Sequence, residues 1–282
     1  MTEPYFEEHL IHGTAEFPVG IYDMHFNSDE KPLFPLHYHS EFEFLIITDG
    51  EATVHINGEP VVVKKGEGAF INSSALHSAV NSADLECGFI AIVFSPQFIA
   101  PKYEDIYDRY ISAVMDGNIE IPRHLPTDAV ALAYKINNAY KDKPFGYELL
   151  IKAHLTEMMS MCVATGVQAR MAKENAKTDI VKRVLDYIHD NYMNEISLDD
   201  LALSVHISKE HLCRVFREVS DYSPIVYLNR YRIIQSAYML RNNEKSISQI
   251  SSDCGFNSSS YFNKQFMRFM KCSPSRYRKN SM

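Results

Sequence analysis

Three histidines and one glutamate stand at a spacing that could build a metal or effector site. The pattern runs His37-x-His39-x3-Glu43-x6-Gly50, and later Gly66-x10-His77-x3-Asn81. Imidazole nitrogens and a carboxylate oxygen are ligands for iron, manganese, zinc or nickel. His37, His39 and Glu43 share the parity of one β-strand, so on a single strand they would project from one face into one cavity.

Three interpretations of this group of side chains stay open at the level of the residues. It binds a divalent metal, or it forms the floor of a metal-free pocket for an organic effector, or its histidines are structural. Unsatisfied buried polar groups cost roughly 1–3 kcal/mol each, so a ligand, a metal, water or one another must satisfy them. We therefore predict that His37, His39, Glu43 and His77 bind the effector, and that the same four are the ligands if a metal is present.

The segments around these residues predict β-structure. Asp49-Gly50 and Asn57-Gly58 are strong hairpin signals, and each is flanked by strand-like runs. Residues 42–48, 51–56 and 60–64 are thus expected to form an antiparallel meander. Residues 70–71 and 89–94 continue the β-pattern, whereas residues 129–140 and 149–165 have the periodicity of helices. A small antiparallel β-barrel or jelly roll followed by helices is predicted.

The C-terminal part contains an internal repeat with an offset of 49 to 50 residues. The copies read Ser197-Leu-Asp-Asp-Leu-Ala, His206-Ile-Ser and Ser223-Pro224-x-x-Tyr227, then Ser246-Ile-Ser-Gln-Ile-Ser, Gly255-Phe-Asn and Ser273-Pro274-x-x-Tyr277. Each copy predicts a helix, a tight turn and a second helix, since each begins with the spacing of a capping box. Gly255 suits a left-handed turn residue, and His206 occupies that position in the first copy.

The second helix of each copy is predicted to have an apolar face and an exposed face. The inward residues are Leu212, Val215 and Phe216, then Phe262, Phe266 and Phe269. The outward residues are Lys209, Glu210, Cys213, Arg214 and Arg217, then Ser259, Ser260, Asn263, Lys264 and Met267. Basic and amide side chains on such a face suit phosphates and base edges in a major groove.

A helix over residues 225–240 is predicted to join the two copies. At about 1.5 Å per residue it would be a rod of roughly 24 Å. Such a rod could set the two second helices into successive major grooves, which lie about 34 Å apart on one face of DNA.

The charge distribution supports a division of the chain. From residue 178 onward there are 15 Lys and Arg against 11 Asp and Glu, a net charge of +4. Because the whole chain has a net charge of −8, the part before residue 178 has a net charge of −12. A basic module joined to an acidic one is typical of a DNA-binding protein with a second, non-DNA domain. The chain has five scattered cysteines without a CxxC pair, no apolar leader and no membrane-spanning stretch, so we expect a cytoplasmic protein with no membrane partner.

The stretch from about residue 196 to residue 278 resembles the AraC/XylS DNA-binding domain. The most specific match is Ile247-Ser-Gln-Ile…Cys254-Gly-Phe…Ser260-Tyr-Phe-Asn-Lys-Gln-Phe…Ser273-Pro-Ser-Arg-Tyr-Arg. The resemblance implies that Glu210, Cys213, Arg214, Ser259, Ser260, Asn263 and Lys264 contact DNA. Lys209 and Arg217 are the expected phosphate contacts beside them. The spacing around the histidines in turn resembles the cupin signature, which implies a cupin-like sensor.

We therefore expect an α+β chain with an N-terminal antiparallel, cupin-like jelly roll and an all-α C-terminal domain with two helix-turn-helix motifs. Residues 1–165 form the effector-binding and dimerisation domain, 166–177 the linker and 178–282 the DNA-binding domain. The expected function is a non-enzymatic regulator that binds operator DNA under the control of a small effector, with RNA polymerase a further candidate partner. The resemblance implies that this effector is often a sugar or related metabolite.

The dimer is expected to form through the later helix, over residues 149–165. Its apolar stripe comprises Leu149, Leu150, Ala153, His154, Met158, Met161 and Cys162. The sequence leaves two alternatives to the effector-controlled regulator. One is a metal-dependent cupin enzyme fused to a DNA-binding tail, and the other is a thiol-based redox regulator using Cys213 near Arg214. No cofactor is required by the sequence beyond the candidate divalent metal, and whether the regulator is an activator is left open.

Overall fold

The computed structural model describes residues 12–28, 33–82, 86–102, 104–168, 176–220, 222–242 and 245–281. The chain divides into two compact units, one that ends at residue 174 and one that begins at residue 175. The expected linker over residues 166–177 lies mostly outside the described residues. Val167–Gln168 at its start form a short strand, and Ala176 at its end begins a helix.

Two four-stranded antiparallel sheets and one two-stranded sheet make up the described β-structure of the first unit. One four-stranded sheet has the order β1-β8-β3-β6 and the other β2-β7-β4-β5. The strands are β1 Val19–Phe26, β2 Phe34–His37, β3 Phe42–Asp49, β4 Glu51–Ile56, β5 Glu59–Lys64, β6 Gly68–Ile71, β7 His77–Asn81 and β8 Cys87–Phe94. The predicted antiparallel, cupin-like architecture is confirmed.

The two hairpin signals have different outcomes. Asn57 and Gly58 have φ angles of +52° and +84° and close the predicted β4–β5 hairpin. The meander through Asp49-Gly50 is wrong, because β3 pairs with β6 and β8 whereas β4 pairs with β5 and β7. Gly50 instead turns the chain from one sheet into the other, where a Cβ would overlap the carbonyl oxygen of Glu86.

Alternation along β3 separates two cores. Phe42, Phe44 and Ile46 pack towards the helices, whereas Leu45 and Ile47 pack between the two sheets. Because β8 is covered on both faces, its sequence CGFIAIVF is a continuous apolar run and every residue is buried. Glu43 shares its parity with Leu45, so the strand places a carboxylate on the inner side.

The helices of the first unit cover the outer face of the β1-β8-β3-β6 sheet. They are α1 Pro96–Ile99, a π-helix Tyr107–Ser112, α2 Ala113–Met115, α3 Thr127–Asp142 and α4 Tyr147–Thr165, with the short strands β9 Ile119–Glu120 and β10 Val167–Gln168 paired beside them. The predicted stripe on α4 divides between two faces. Met158 and Cys162 are buried against the sheet, whereas Leu149 and Leu150 are exposed.

Seven helices form the described part of the second unit. They are α5 Ala176–Asn191, α6 Leu198–Ser204, α7 Lys209–Val219, α8 Pro224–Asn242, α9 Ile247–Asp253, α10 Ser259–Met270 and α11 Pro274–Ser281. Helices α6–α7 and α9–α10 are the two predicted helix-turn-helix pairs, and α8 is the predicted joining helix. At 19 residues, α8 is slightly longer than expected and spans roughly 29 Å.

Candidate functional site: a histidine–glutamate cluster and two helix-turn-helix units

Four side chains from both sheets converge between them, and we call His37, His39, Glu43 and His77 the histidine–glutamate cluster. Each offers one ligand atom, and these atoms all lie within 4.8 Å of one another. His37 and His77 are cross-strand partners on β2 and β7, and Glu43 reaches them from β3 in the facing sheet. His39 lies between β2 and β3, so the three residues do not share one strand as their parity suggested. Packing of one sheet on the other, rather than strand parity, brings them together.

Backbone carbonyls orient the three imidazoles. Nδ1 of His37 lies 2.9 Å from the carbonyl oxygen of Pro35, and Nδ1 of His77 lies 2.8 Å from that of Ala75. Nδ1 of His39 lies 3.2 Å from the carbonyl oxygen of Glu41. A carbonyl only accepts, so neutral imidazoles there carry their proton on Nδ1 and keep the Nε2 lone pair. This is the arrangement that outer hydrogen bonds give to metal-binding histidines.

The Glu43 carboxylate is fully buried and is contacted by two of these imidazoles. Its Oε2 lies 3.2 Å from Nε2 of His39 and 3.3 Å from Nε2 of His77. Burial disfavours the ionised carboxylate, but the contacts with His39 and His77 outweigh it and hold the pKa of Glu43 well below its usual value. A buried anion is therefore present, and a positive charge must stand against it.

The imidazoles respond differently to this environment. Burial, with the nearby His77 and His39 imidazoles, lowers the pKa of His37 well below its usual value. Burial also acts against protonation of His39, but its hydrogen bond to Glu43 prevails and raises the pKa of His39. Without another cation, a proton on His39 balances Glu43. A divalent metal ion could take the place of that proton.

The donor set fits such an ion. Two ligand atoms on opposite sides of a metal, each about 2.0–2.2 Å from it, are separated by at most about 4.4 Å. The ligand atoms of the cluster all lie within 4.8 Å of one another, so only small side-chain shifts separate this arrangement from coordination. Three nitrogens and one oxygen suit zinc, iron, manganese or nickel. As a Lewis acid, the ion would bind an oxygen group of a second molecule.

His12 lies beside the cluster and was not predicted from the sequence. Its ring packs edge-on against His39 with 5.4 Å between the centroids, and its Nδ1 lies 2.9 Å from the hydroxyl oxygen of Tyr22. Burial, with the imidazole of His39, lowers the pKa of His12 to about 4. The sequence around His12 has no spacing or periodicity that connects it with residues 37–77, so only the folded chain reveals this neighbour.

The two helix-turn-helix units begin with the same hydrogen-bonding device. Ser197 Oγ accepts from the Asp200 amide at 3.2 Å, and the Asp200 carboxylate accepts from the Ser197 amide at 2.8 Å. Ser246 and Gln249 repeat this exchange at 3.2 and 2.9 Å. Both predicted capping boxes are confirmed.

The turns of the two units also adopt the predicted conformation, although their residues differ. His206 has a φ angle of +57° and Gly255 one of +78°, so both occupy the left-handed region. At Gly255 an added Cβ would overlap the carbonyl oxygen of Tyr192 and lie 2.9 Å from Nη2 of Arg232. That guanidinium donates to the carbonyl oxygens of Tyr192 and Asn194 at 2.8 and 2.6 Å. The second turn is thus packed against the end of α5 and against α8.

The exposed faces of α7 and α10 carry the residues predicted to bind DNA. Lys209, Glu210, Arg214 and Arg217 are exposed on α7, where Cys213 is half-buried. Ser259, Ser260, Asn263 and Lys264 are exposed on α10. Leu212, Val215, Phe216, Phe262 and Phe266 are buried behind them, and Phe269 is half-buried. Each helix therefore presents the predicted polar face on an apolar support.

The charges on these two faces are not equally available. Nζ of Lys209 lies 3.0 Å from the carboxylate of Asp199, and Glu218 on α7 pairs with Lys177 at 2.6 Å. Lys264 on α10 forms no ion pair with any residue in the described ranges, and its ammonium is free to meet a phosphate or a base. Acidic residues thus lie on α7 itself, at Glu210 and Glu218, whereas α10 carries basic groups and no acid over Ser259–Met270.

Two family models match the chain. A model described as a helix-turn-helix domain matches residues 201–280, and a model described as a cupin domain matches residues 25–93. The first match spans most of both helix-turn-helix units, and the second contains the whole histidine–glutamate cluster. No helix in the described ranges is long and apolar enough to cross a membrane.

Similar proteins are named as transcription regulators. The chain is 33% identical over 279 residues to the uncharacterized HTH-type transcriptional regulator YdeC of Bacillus subtilis, covering 95% of this chain and 94% of YdeC. It is 23% identical over 269 residues to the HTH-type transcriptional activator RhaS of Klebsiella pneumoniae, covering 94% of this chain and 95% of RhaS. A solved structure of ToxT from Vibrio cholerae has a TM-score of 0.51 at 15% identity, covering 93% and 98% of the two chains, and shows a similar fold.

Proposed function

The chain belongs to the AraC-type family of helix-turn-helix transcription regulators, and from this we propose that a ligand held at the histidine–glutamate cluster controls how it engages operator DNA. The observation that carries the ligand site is the convergence of His37, His39, Glu43 and His77 within 4.8 Å of one another. The relatives are named as regulators, and the role proposed here is regulatory rather than enzymatic. Because RhaS is named an activator, we propose activation, in the cytoplasm, where recruitment of RNA polymerase would occur.

We propose that DNA is bound by α7 and α10 together. Arg214 and Lys264 reach base edges or phosphates from the exposed face of each helix, with Ser259, Ser260 and Asn263 beside Lys264. Glu210 can accept a hydrogen bond from the N4 amino group of cytosine. Lys209 and Arg217 supply phosphate contacts, which give affinity without sequence preference.

We propose further that the cluster holds one divalent transition metal ion. His37, His39 and His77 would donate Nε2 and Glu43 an oxygen, and the ion supplies a Lewis-acid centre to which an effector oxygen binds. The buried carboxylate and the three fixed imidazoles support this over a purely structural role. An organic effector that binds without metal is the alternative that the sequence also allows.

Metal titration of the full-length protein tests this part of the proposal. We expect one Co²⁺ per chain with visible absorption bands, a loss of binding of at least about 100-fold in His39→Ala, and no loss in His25→Ala. His25 is a matched control because its side chain is exposed on β1 of the same unit. A wild-type protein that binds no more Co²⁺ than His39→Ala would reject the metal and leave the organic-effector alternative.

The regulator is also proposed to be a homodimer that pairs through the start of α4. Phe145 is fully exposed there, Leu149 is 75% exposed and Leu150 is 43% exposed, which is unusual for large apolar side chains. The buried half of the helix already packs on its own sheet, so the exposed half is available to a second copy. Sedimentation of Leu149→Glu/Leu150→Glu should show a monomer and that of Val62→Glu, an exposed β5 control, a dimer. A monomeric wild type at micromolar concentration contradicts this proposal.

A further inference from the structure

A second polar pair stands at the edge of the histidine–glutamate cluster, formed by His12 and Tyr22. The His12 ring meets the Tyr22 ring edge-on at 5.7 Å and the His39 ring at 5.4 Å, so His12 bridges β1 and the cluster. Tyr22 packs against the core between the two sheets, on the same side of the sheet as Glu43. The pair therefore lies directly beside the histidine–glutamate cluster.

Local structure holds His12 in this position. Gly13 follows it with a φ angle of +81°, in a turn where an added Cβ would overlap the carbonyl oxygen of Phe17. That carbonyl accepts from the amides of Thr14 and Val19, both at 2.9 Å. The turn is thus closed by hydrogen bonds and directs His12 back over β1.

Gly20 provides the space for the pair. A Cβ at Gly20 would lie 2.9 Å from the Tyr22 hydroxyl oxygen and 3.2 Å from the Cβ of His12. Any larger residue at this buried position would push the tyrosine and the histidine apart. Two glycines therefore serve one arrangement, a hydrogen-bonded His12–Tyr22 pair beside His39.

The charge balance of the cluster indicates what would lie against this pair. Three neutral imidazoles and one carboxylate leave a bound divalent cation with one uncompensated positive charge. The surroundings are apolar, since the Phe34 ring lies 5.7 and 6.0 Å from the rings of His37 and His77. The carboxylate of Glu41 is partly exposed and lies 3.7 Å from Nδ1 of His39, the ring nitrogen that is not the ligand atom. A singly charged anion beside the cation is the simplest compensation.

We propose that His12, held by Tyr22, hydrogen-bonds a small carboxylate that occupies the position beside the metal and so determines which oxygen ligand the site accepts. This rests on the proposed metal at the cluster and adds the chemical class of the second ligand. When the Tyr22 hydroxyl donates to Nδ1 of neutral His12, the ring proton is on Nε2, which donates it to the carboxylate. His12 is a selecting residue in this arrangement and not a fifth metal ligand.

Titration of the full-length protein, first with Co²⁺ alone and then with acetate, separates the two roles. His12→Phe keeps a ring against His39 and loses the donor, whereas His12→Gln keeps a donor; His25→Phe is the matched control on β1. We expect Co²⁺ affinity within about 3-fold of wild type in all three variants. The acetate dissociation constant, followed by the Co²⁺ visible bands, should rise about 10-fold or more in His12→Phe and recover at least in part in His12→Gln.

The remaining outcomes separate the proposed role of His12 from the proposed metal site. Equal acetate affinity in wild type and His12→Phe overturns the role of His12, as does a wild-type Co²⁺ spectrum that acetate leaves unchanged, and in both cases the metal site stands. Loss of Co²⁺ binding in His12→Phe would make His12 a ligand or a structural residue and overturns the selecting role. A wild-type protein that binds no Co²⁺ overturns the metal and the carboxylate together.

Discussion

The two helix-turn-helix units share a capping box and a left-handed turn, and they differ in the space at the turn and in their charge. The first turn has an exposed residue, His206. In the same unit, Asp199 pairs with Lys209 and Glu218 pairs with Lys177. The second turn is closed by Arg232 and the end of α5, and the second helix of that unit carries Lys264, which forms no ion pair with the described residues. The repeat thus preserves the backbone hydrogen bonds of the two units while their side chains diverge.

The turn residues should show the largest contrast. Gly255→Ala places a Cβ in a left-handed conformation against the Tyr192 carbonyl, and strain plus overlap should lower the free energy of unfolding by about 2–4 kcal/mol. His206→Gly relieves left-handed strain but adds chain entropy, so stability should change between zero and about 1 kcal/mol in favour of the variant. Urea unfolding of both variants measures this. An equal decrease in the free energy of unfolding in both variants would contradict the difference between a packed turn at Gly255 and an open turn at His206.

Replacement of the two cations that we propose to contact bases should have the next largest effect. Arg214→Ala and Lys264→Ala are each expected to weaken operator binding by about 1–3 kcal/mol if the side chain contacts a base. Lys209→Ala should have a smaller effect that is equal on all sequences, since its ammonium already pairs with Asp199, and should flatten the salt dependence. Fluorescence anisotropy on a duplex selected from a random pool, at several salt concentrations, gives these values. Folded Arg214→Ala and Lys264→Ala proteins that both retain wild-type affinity would remove α7 and α10 from the interface.

The caps are expected to be equivalent. Ser197→Ala and Ser246→Ala each remove the side chain that accepts from the third residue of the helix, and each should destabilise the second unit by about 1 kcal/mol. Thermal unfolding of the full chain, with Ser275→Ala as an exposed control on α11, measures the loss. A loss in only one copy would show that the repeated hydrogen bonds do not have the same energetic role.

A decrease in pH is expected to affect only the capping box that contains Asp200, and to change stability less than the substitutions above. Hydrogen bonds from the Ser197 side chain and backbone hold the pKa of Asp200 below its usual value, whereas Gln249 has no titrating group. A lowered pKa in the folded state means that this carboxylate contributes stability at neutral pH and loses it as the pH falls below about 4. The amide resonance of Ser197 should therefore shift in that range while that of Ser246 does not, and Asp200→Asn should abolish the shift. Parallel shifts at both serines would contradict this account.

The repeat explains why the C-terminal compact unit, which begins at residue 175, could be predicted in detail. Its boxes, turns and buried positions depend on residues three or four apart, so Ser246, Gly255 and Phe262 could be assigned without tertiary contacts. The β-strands of the N-terminal compact unit, which ends at residue 174, could not be predicted from local sequence in the same way. Asp49-Gly50 has the local signature of a hairpin, but strand pairing depends on which sheet buries each face, and β3 and β4 belong to different sheets.

The sequence predicted the residues of the histidine–glutamate cluster correctly, but not the way in which the fold brings them together. Spacing identified His37, His39, Glu43 and His77, but the strand parity that was to unite them does not apply, since β2 ends at His37 and β3 begins at Phe42. The turn at Gly13 and the lack of a side chain at Gly20 on β1 position His12, the fifth polar residue at the site. No periodic pattern contains a contact between the turn before β1 and the residue after β2.

Control of DNA binding by the histidine–glutamate cluster is measured by the DNA affinity of the full-length protein with and without metal. Anisotropy with the selected duplex should show that Co²⁺ changes the wild-type dissociation constant at least about 5-fold, in either direction. His39→Ala should still bind the duplex, and its affinity should not respond to Co²⁺. A wild-type affinity that is the same with and without Co²⁺, or a His39→Ala protein that responds as wild type does, would contradict control of the two helix-turn-helix units through a metal at the cluster.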